Sequence, residues 1–273
     1  MVNPRTIAPL FAAVFLAAPI SARAESKLTV AMPTTPPNLV HMPLHIANEL
    51  GLFKKYGLEI KVIELAGGVY TFRAVVAGSA DVASASGPFS IVGKAKGAPT
   101  KMILSNTPKL EASMVVNENI KTMADLKGKR IGIQEPGGFA DVLAHGVLRA
   151  AKIDPKEVHF VSIATEDVPA LVANQVDTAT LHVEHEMIAK SKIPTLHAIA
   201  RLWEIQPNNL YGVMAVSEKL IKEKPDAVKA FVKGHIEATR LIYTDRAKVV
   251  PIMVKYTKLP ADVVNKALDF MVD

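Results

Sequence analysis

The chain has 273 residues, enough for two domains of ordinary size, and its 49% hydrophobic and 21% charged side chains make an ordinary globular composition. It contains no cysteine, which excludes disulfides, thiol nucleophiles, thiolate metal sites and a lipid-modified N-terminal cysteine. The formal charge of +6 comes without a Lys/Arg block of the kind that holds nucleic acid. No nucleic-acid partner is therefore expected, and the excess is compatible with a small anionic ligand without establishing one.

Residues 1–24 read as a secretory signal peptide. Arg5 supplies the positive charge, 7–18 the apolar run, and Ala22-Arg23-Ala24 a small-x-small cleavage site ahead of Glu25. The apolar run is too short to span a bilayer comfortably. In a bacterium this implies a soluble periplasmic protein. Losing Arg5 and Arg23 lowers the formal charge from +6 to +4.

The mature chain opens on a strand at 28–31 and a loop whose Pro33, Pro36 and Pro37 deny it a helix. Pro43 suits the first turn of a helix that ends at Gly51. A strand at 59–65 follows, then Gly67-Gly68 ahead of another helix, whose first amides can meet an anion. The second half repeats this order: strand at 130–133, Gly-rich loop, helix at 139–151, strand at 157–163. Phe139, Val142, Leu143, Val147 and Ala150 form the apolar stripe of that helix.

The repeat is clearest at its end. Ala74-Val75-Val76-Ala77-Gly78 aligns with Ala170-Leu171-Val172-Ala173-Asn174, and Asp81-Val82-Ala83 with Asp177-Thr178-Ala179, without a gap. Each copy reads as a helix end, a turn and a buried strand. Gly78 and Asn174 fall where a helix C-terminus wants a residue tolerant of positive φ. Strand–helix–strand units imply right-handed parallel crossovers. Two copies imply two α/β lobes, and the carboxyl ends of their strands would surround one cleft. A returning strand at 210–216 carries the chain back to the first lobe, with hinges near 108–113 and 207–212. Pro225 and Pro260 open helices with broad apolar faces.

Residues 41–83 resemble the leading signature of the nitrate, sulfonate, taurine and thiamine-precursor group of periplasmic binding proteins, the solute receptors of ABC importers. The matching pieces are Pro43-Leu44, Ile46-Ala47, Gly51-Leu52-Phe53-Lys54, Gly57-Leu58, Gly67-Gly68 and the turn from Gly78 to Asp81-Val82. The match continues through Leu126-Lys127-Gly128-Lys129-Arg130-Ile131-Gly132 and covers about 27–245. The resemblance implies a type II periplasmic binding protein: α/β, two lobes with a hinge and an interlobe cleft. The expected division is a signal peptide at 1–24, first lobe at 25–110 and 210–273, and second lobe at 111–209. Family members run some tens of residues further, so a truncated or short C-terminus is expected, the absent part packing mostly on the first lobe.

Cleft candidates come from four loops: Thr35, Asn38 and His41; Ser84, Ser86 and Gly87; Gly137, Gly138 and Phe139; and His182 with Glu184. Tyr211 at the second hinge joins them. Each Ser or Thr has a local helix cap as its competing role, Gly137-Gly138 a tight turn, and Phe139 the core. If 180–183 is extended, His182 and Glu184 share one side. A cleft carboxylate there disfavours an inorganic anion and suits a donor-bearing ligand such as an amine or aminopyrimidine. No Arg is placed to clamp a carboxylate or sulfonate. His182-Val183-Glu184-His185-Glu186 lacks a third firm metal ligand, so neither metal nor cofactor is expected.

The expected function is capture of a small organic solute, sulfonate-like, pyrimidine-like or an aromatic acid, and its delivery by a monomer to an inner-membrane ABC permease. A periplasmic sensor partner is the alternative. An enzyme of the same fold is a weaker one, because the related pyrimidine synthases carry a cysteine-rich motif that this chain lacks, and there is no GxSxG, HExxH or P-loop.

Overall fold

The computed structural model describes residues 26–105, 110–164, 167–208 and 210–272. The expected signal peptide, and parts of both expected hinges, lie outside the described residues. In chain order the first half holds β1 (Ser26–Met32), α1 (Met42–Glu49), α2 (Leu52–Lys55), β2 (Leu58–Glu64), α3 (Gly68–Val76), β3 (Val82–Ser86), α4 (Gly87–Ala95) and β4 (Thr100–Ser105). Next come β5 (Ala112–Val116), β6 (Arg130–Ile133), α5 (Phe139–Ala150), β7 (His159–Ser162), α6 (Asp167–Val172), β8 (Thr178–His182), α7 (Val183–Lys192), β9 (His197–Arg201) and α8 (Leu202–Ile205). The chain closes with β10 (Gly212–Ser217), α9 (Glu218–Glu223), α10 (Pro225–Thr244), α11 (Arg246–Thr257) and α12 (Ala261–Val272).

These strands form two five-stranded sheets of matching order, β2-β1-β3-β10-β4 and β7-β6-β8-β5-β9. In each, the first three strands are parallel and the fourth runs antiparallel. The fourth strand is the exchanged one. β5 comes to the second sheet from β4, and β10 comes back to the first from α8. The polypeptide therefore crosses between the sheets twice, and the two halves are coupled by paired strand connections. The architecture is the two-lobe α/β fold expected of a type II periplasmic binding protein.

The repeated turn is geometric as well as textual. Gly78 and Asn174 both take positive φ, 77° and 55°. The Ser79 amide donates to the Ala74 carbonyl and the Gln175 amide to that of Ala170, the wide bond of a Schellman-type helix end. Asp81 accepts the Thr29 amide and Asp177 the Arg130 amide, each at 2.8 Å. These bonds set the register: Val30 opposite Val82 in one sheet and Ile131 opposite Thr178 in the other. The strands that follow, VASAS and TATLH, are buried throughout, because helices cover both faces of a central parallel strand.

Each sheet carries its own core. Leu28, Val30, Leu44, Ile46, Phe53 and Phe231 lie in the largest cluster, where the Phe53 and Phe231 rings stack at 5.5 Å. Gly234 permits that approach, since a Cβ there would strike Phe53. Met114, Leu126, Ile131, Leu143 and Val147 centre a core on the second sheet. α12 serves both halves. Val264, Ala267 and Leu268 join the first core, Met271 touches both, and Phe270 packs edge-on against Trp203 of α8 at 5.1 Å.

Candidate functional site

The loops that leave β1, β3, β6 and β8 at their carboxyl ends converge on a cavity of about 450 Å³, within the range of small-ligand sites. Thr35, Asn38, His41, Ser84, Ser86, Phe139, His182 and Tyr211 all line it, as do Glu135, Asp167 and His185. Eight of the sequence candidates are thus brought together, although 147 residues separate Thr35 from His182 in the chain.

Four candidates do not reach the wall, each for a local reason. Gly87 donates its amide to the Tyr211 carbonyl at 2.9 Å, and a Cβ there would collide with Leu210, so it lets the return strand come close. Gly137, at φ 78°, makes the turn and gives its amide to Asp141 at 2.7 Å. Gly138 caps α5, and a Cβ on it would strike Glu135. Glu184 is fully buried and accepts the Leu39 amide at 3.0 Å. The expected alternation of His182 and Glu184 fails because β8 stops at His182 and α7 starts at Val183. As the second residue of that helix, Glu184 is turned away from the cavity and onto the first lobe.

At the centre of the wall His182 is held from both sides. Its Nδ1 lies 3.0 and 3.1 Å from the two Glu111 carboxylate oxygens, and its Nε2 2.9 Å from the Tyr211 hydroxyl. Glu111 and Tyr211 stand beside the two chain crossings, so this buried series joins both connections to the end of β8. Burial opposes a charge on His182, but the Glu111 carboxylate overcomes it and holds the pKa above its ordinary value. Both ring nitrogens are thus engaged, one by the carboxylate and the other by the hydroxyl. Phe139 stacks on His182 with centroids 4.9 Å apart and 9° between planes, and sits 4.5 Å from Tyr211. It is therefore part of the wall as well as of the α5 apolar stripe.

His185 repeats the device with Asp167, Nδ1 to Oδ2 at 3.2 Å. Burial works against its charge, Asp167 outweighs it, and the pKa is pushed up to about 9. His41 behaves oppositely. Burial, with the positive His182 nearby, lowers it to about 3, so it is a neutral ring, its Nδ1 3.3 Å from the Ser84 hydroxyl.

Glu135 was not among the sequence candidates. It directly follows Gln134 in the loop after β6, the position that Thr34 holds after β1 and Pro33 in the first repeat. Its Oε1 accepts the Val69 amide at 3.1 Å, so the first turn of α3, expected to meet an anion, meets this side chain of the other lobe. Burial raises its pKa, and the Val69 amide partly offsets that. Among the described residues no group of three or more His, Cys, Asp or Glu side chains is arranged to hold a metal ion.

The family model described as NMT1/THI5 like matches residues 38–247. The chain belongs to the NMT1/THI5-like family. Proteins similar to this NMT1/THI5-like chain are named for different roles. A Brucella abortus protein named "Putative binding protein" is 27% identical over 216 residues, 78% of this chain and 67% of the relative. The 4-amino-5-hydroxymethyl-2-methylpyrimidine phosphate synthase of Legionella pneumophila is 21% identical over 207 residues, 72% of this chain and 63% of that protein. Among solved structures, the alkanesulfonate-binding protein SsuA from Xanthomonas axonopodis pv. citri, bound to MOPS, superposes with a TM-score of 0.77 at 20% identity, covering 91% of this chain and 85% of that one. The likeness in structure establishes the periplasmic binding protein fold.

Proposed function

We propose that this chain is the solute-binding component of an ABC importer, exported to the periplasm by residues 1–24 and capturing a small organic molecule between lobes at 25–110 with 210–273 and at 111–209. The observation that carries the reading is the 450 Å³ cavity walled by the carboxyl-end loops of both sheets. Thr35, Asn38, His41, Ser84, Ser86, Phe139, His182 and Tyr211 are the proposed ligand contacts. The work is binding and closure: a ligand that touches both walls favours the closed arrangement and shifts the population toward it.

The chemistry of the wall speaks against bond-making. Among the described residues of the wall, the Ser84 hydroxyl near His41 is the one arrangement resembling a nucleophile and base, yet a histidine lowered to about 3 is too weak a base near neutrality. His182 and His185 are each held by their own carboxylate. The enzyme reading keeps the support of the chain's relation to pyrimidine phosphate synthases. A thermal-shift screen of the mature protein against sulfonates, nitrate, aromatic acids, amines and pyrimidines decides between them. A ligand in excess raises the melting temperature by mass action. Stabilisation without conversion is expected, and conversion of a bound compound would replace the receptor reading with the enzyme one.

A further inference from the structure

We propose that Glu135 is the specificity-determining contact of the cavity and that the ligand presents an N–H donor group, an amine or amidine, rather than a sulfonate or nitrate. The proposal rests on the receptor reading and names the ligand class within it.

Glu135 is only 6% exposed, yet it lines the cavity. Its Oε1 is engaged by the Val69 amide, while Oε2 is buried with no hydrogen-bond partner among the described residues. Buried polar atoms are partnered in folded proteins, and an exception in a cavity wall marks where a guest atom completes the set. The slot is made for this side chain. A Cβ on Gly67 would collide with its carboxylate from the first lobe, and a Cβ on Gly138 would do so from its own loop. Glycine at both places makes room for a carboxylate between the lobes.

The surrounding charges point the same way. Both wall histidines with raised pKa are matched by their own acids: His182 by Glu111, and His185 by Asp167. Lys192 is the only Lys or Arg among the described residues lining the cavity, and it is exposed. Arg73, exposed on α3, acts on Glu135 only at longer range, and Asp141 acts against it. Three helix-start amides beside the cavity are also engaged. Val69 gives its amide to Glu135, Leu39 to Glu184, and Gly87 to the Tyr211 carbonyl. An oxyanion entering here would meet an acid that lacks a counter-ion. An amine or amidine would supply the missing donor and neutralise the charge.

The test is calorimetric titration of the wild type and of Glu135→Gln with benzamidine, agmatine and 2-aminopyridine, and with nitrate and propane-1-sulfonate. The glutamine would keep an oxygen for the Val69 amide and lose the charge. At least one nitrogenous probe should bind the wild type, with affinity about tenfold lower in the variant, as expected when a charge-assisted bond becomes neutral. Neither anion should bind the wild type more tightly than that probe. Glu135→Ala should lose affinity further, which keeps the test alive if the glutamine rearranges the slot. Tighter binding of an anion to the wild type, equal affinity of a nitrogenous probe for wild type and variants, or binding by none of the nitrogenous probes would each overturn the proposal. The receptor reading fails separately, when a bound compound is chemically converted.

Discussion

His41 and His185 line the same cavity but respond to protons with opposite sign. The folded pKa of His41 is lowered to about 3 by burial, against an ordinary 6.5. Its contribution to stability is present above pH 6.5 and is lost as pH falls toward 3. His45 and His235, both buried and lowered to about 4, act in the same direction. His185 is raised to about 9, chiefly by Asp167 against the cost of burial, so its contribution is complete below pH 6.5 and is lost as pH rises through 9. Denaturant midpoints measured against pH should therefore peak near 6.5 and fall on both sides. His185→Asn should flatten the alkaline limb while leaving the acid limb in place, and an unchanged alkaline limb would contradict the assignment. At the centre of the wall, Glu111→Gln keeps the shape of the side chain but removes the charge that offsets burial. The His182 pKa should then drop below 6.5, read from its imidazole resonances by NMR titration. An unmoved pKa would show that Glu111 is not what holds it. The sequence makes His182 legible because a ring at the end of a buried strand has few solvated places to go. Glu135 and Glu111 are less so, because a lone Glu in a loop or beside a strand carries no pattern, and only the folded chain shows which of them are buried.

At the scale of the element, the duplicated turn was the most legible feature, and the reason is locality. A helix end in the left-handed region and an Asp two or three residues later are set by bonds within a few residues and one neighbouring strand. Asp81→Ala and Asp177→Ala should each cost about 1.5–3 kcal/mol, the worth of a carboxylate-to-amide hydrogen bond. Asp177 also holds Arg130 through a half-buried, two-pronged pair, so its loss should be the larger of the two. The double variant should lose the sum of the two, since the turns belong to different sheets and share no partner. Equilibrium unfolding in urea checks both statements, and a strongly non-additive result would mean that the turns are not independent copies. Where the expectation depended on the exact residue at which a strand becomes a helix, it failed. Reading 180–183 as extended put Glu184 beside His182, whereas the helix begins at Val183 and turns it onto Leu39. A one-residue boundary is beyond periodicity, but it decides which way a side chain points.

For the whole molecule, two carboxylates of the second lobe accept amides of the first, Glu184 from Leu39 and Glu135 from Val69. α12 adds a second link, through Met271 and the Phe270 contact with Trp203. Residues of α10 and α11 pack in the first core, while α12 touches both cores. The two-lobe plan was readable because each lobe had to repeat its own βαβ order. The way the lobes touch was not, because it depends on single side chains from distant parts of the chain. The central claim is that the cavity closes on a guest, and a chain without cysteine lends itself to testing it. Spin labels attached through Lys96→Cys on the first lobe and Lys156→Cys on the second, both exposed, report the separation of the lobes by electron double resonance. A solute that raises the melting temperature should shorten and narrow the distance distribution while emerging chemically unchanged. A solute that binds and leaves that distribution as it was, or is converted, would contradict the account.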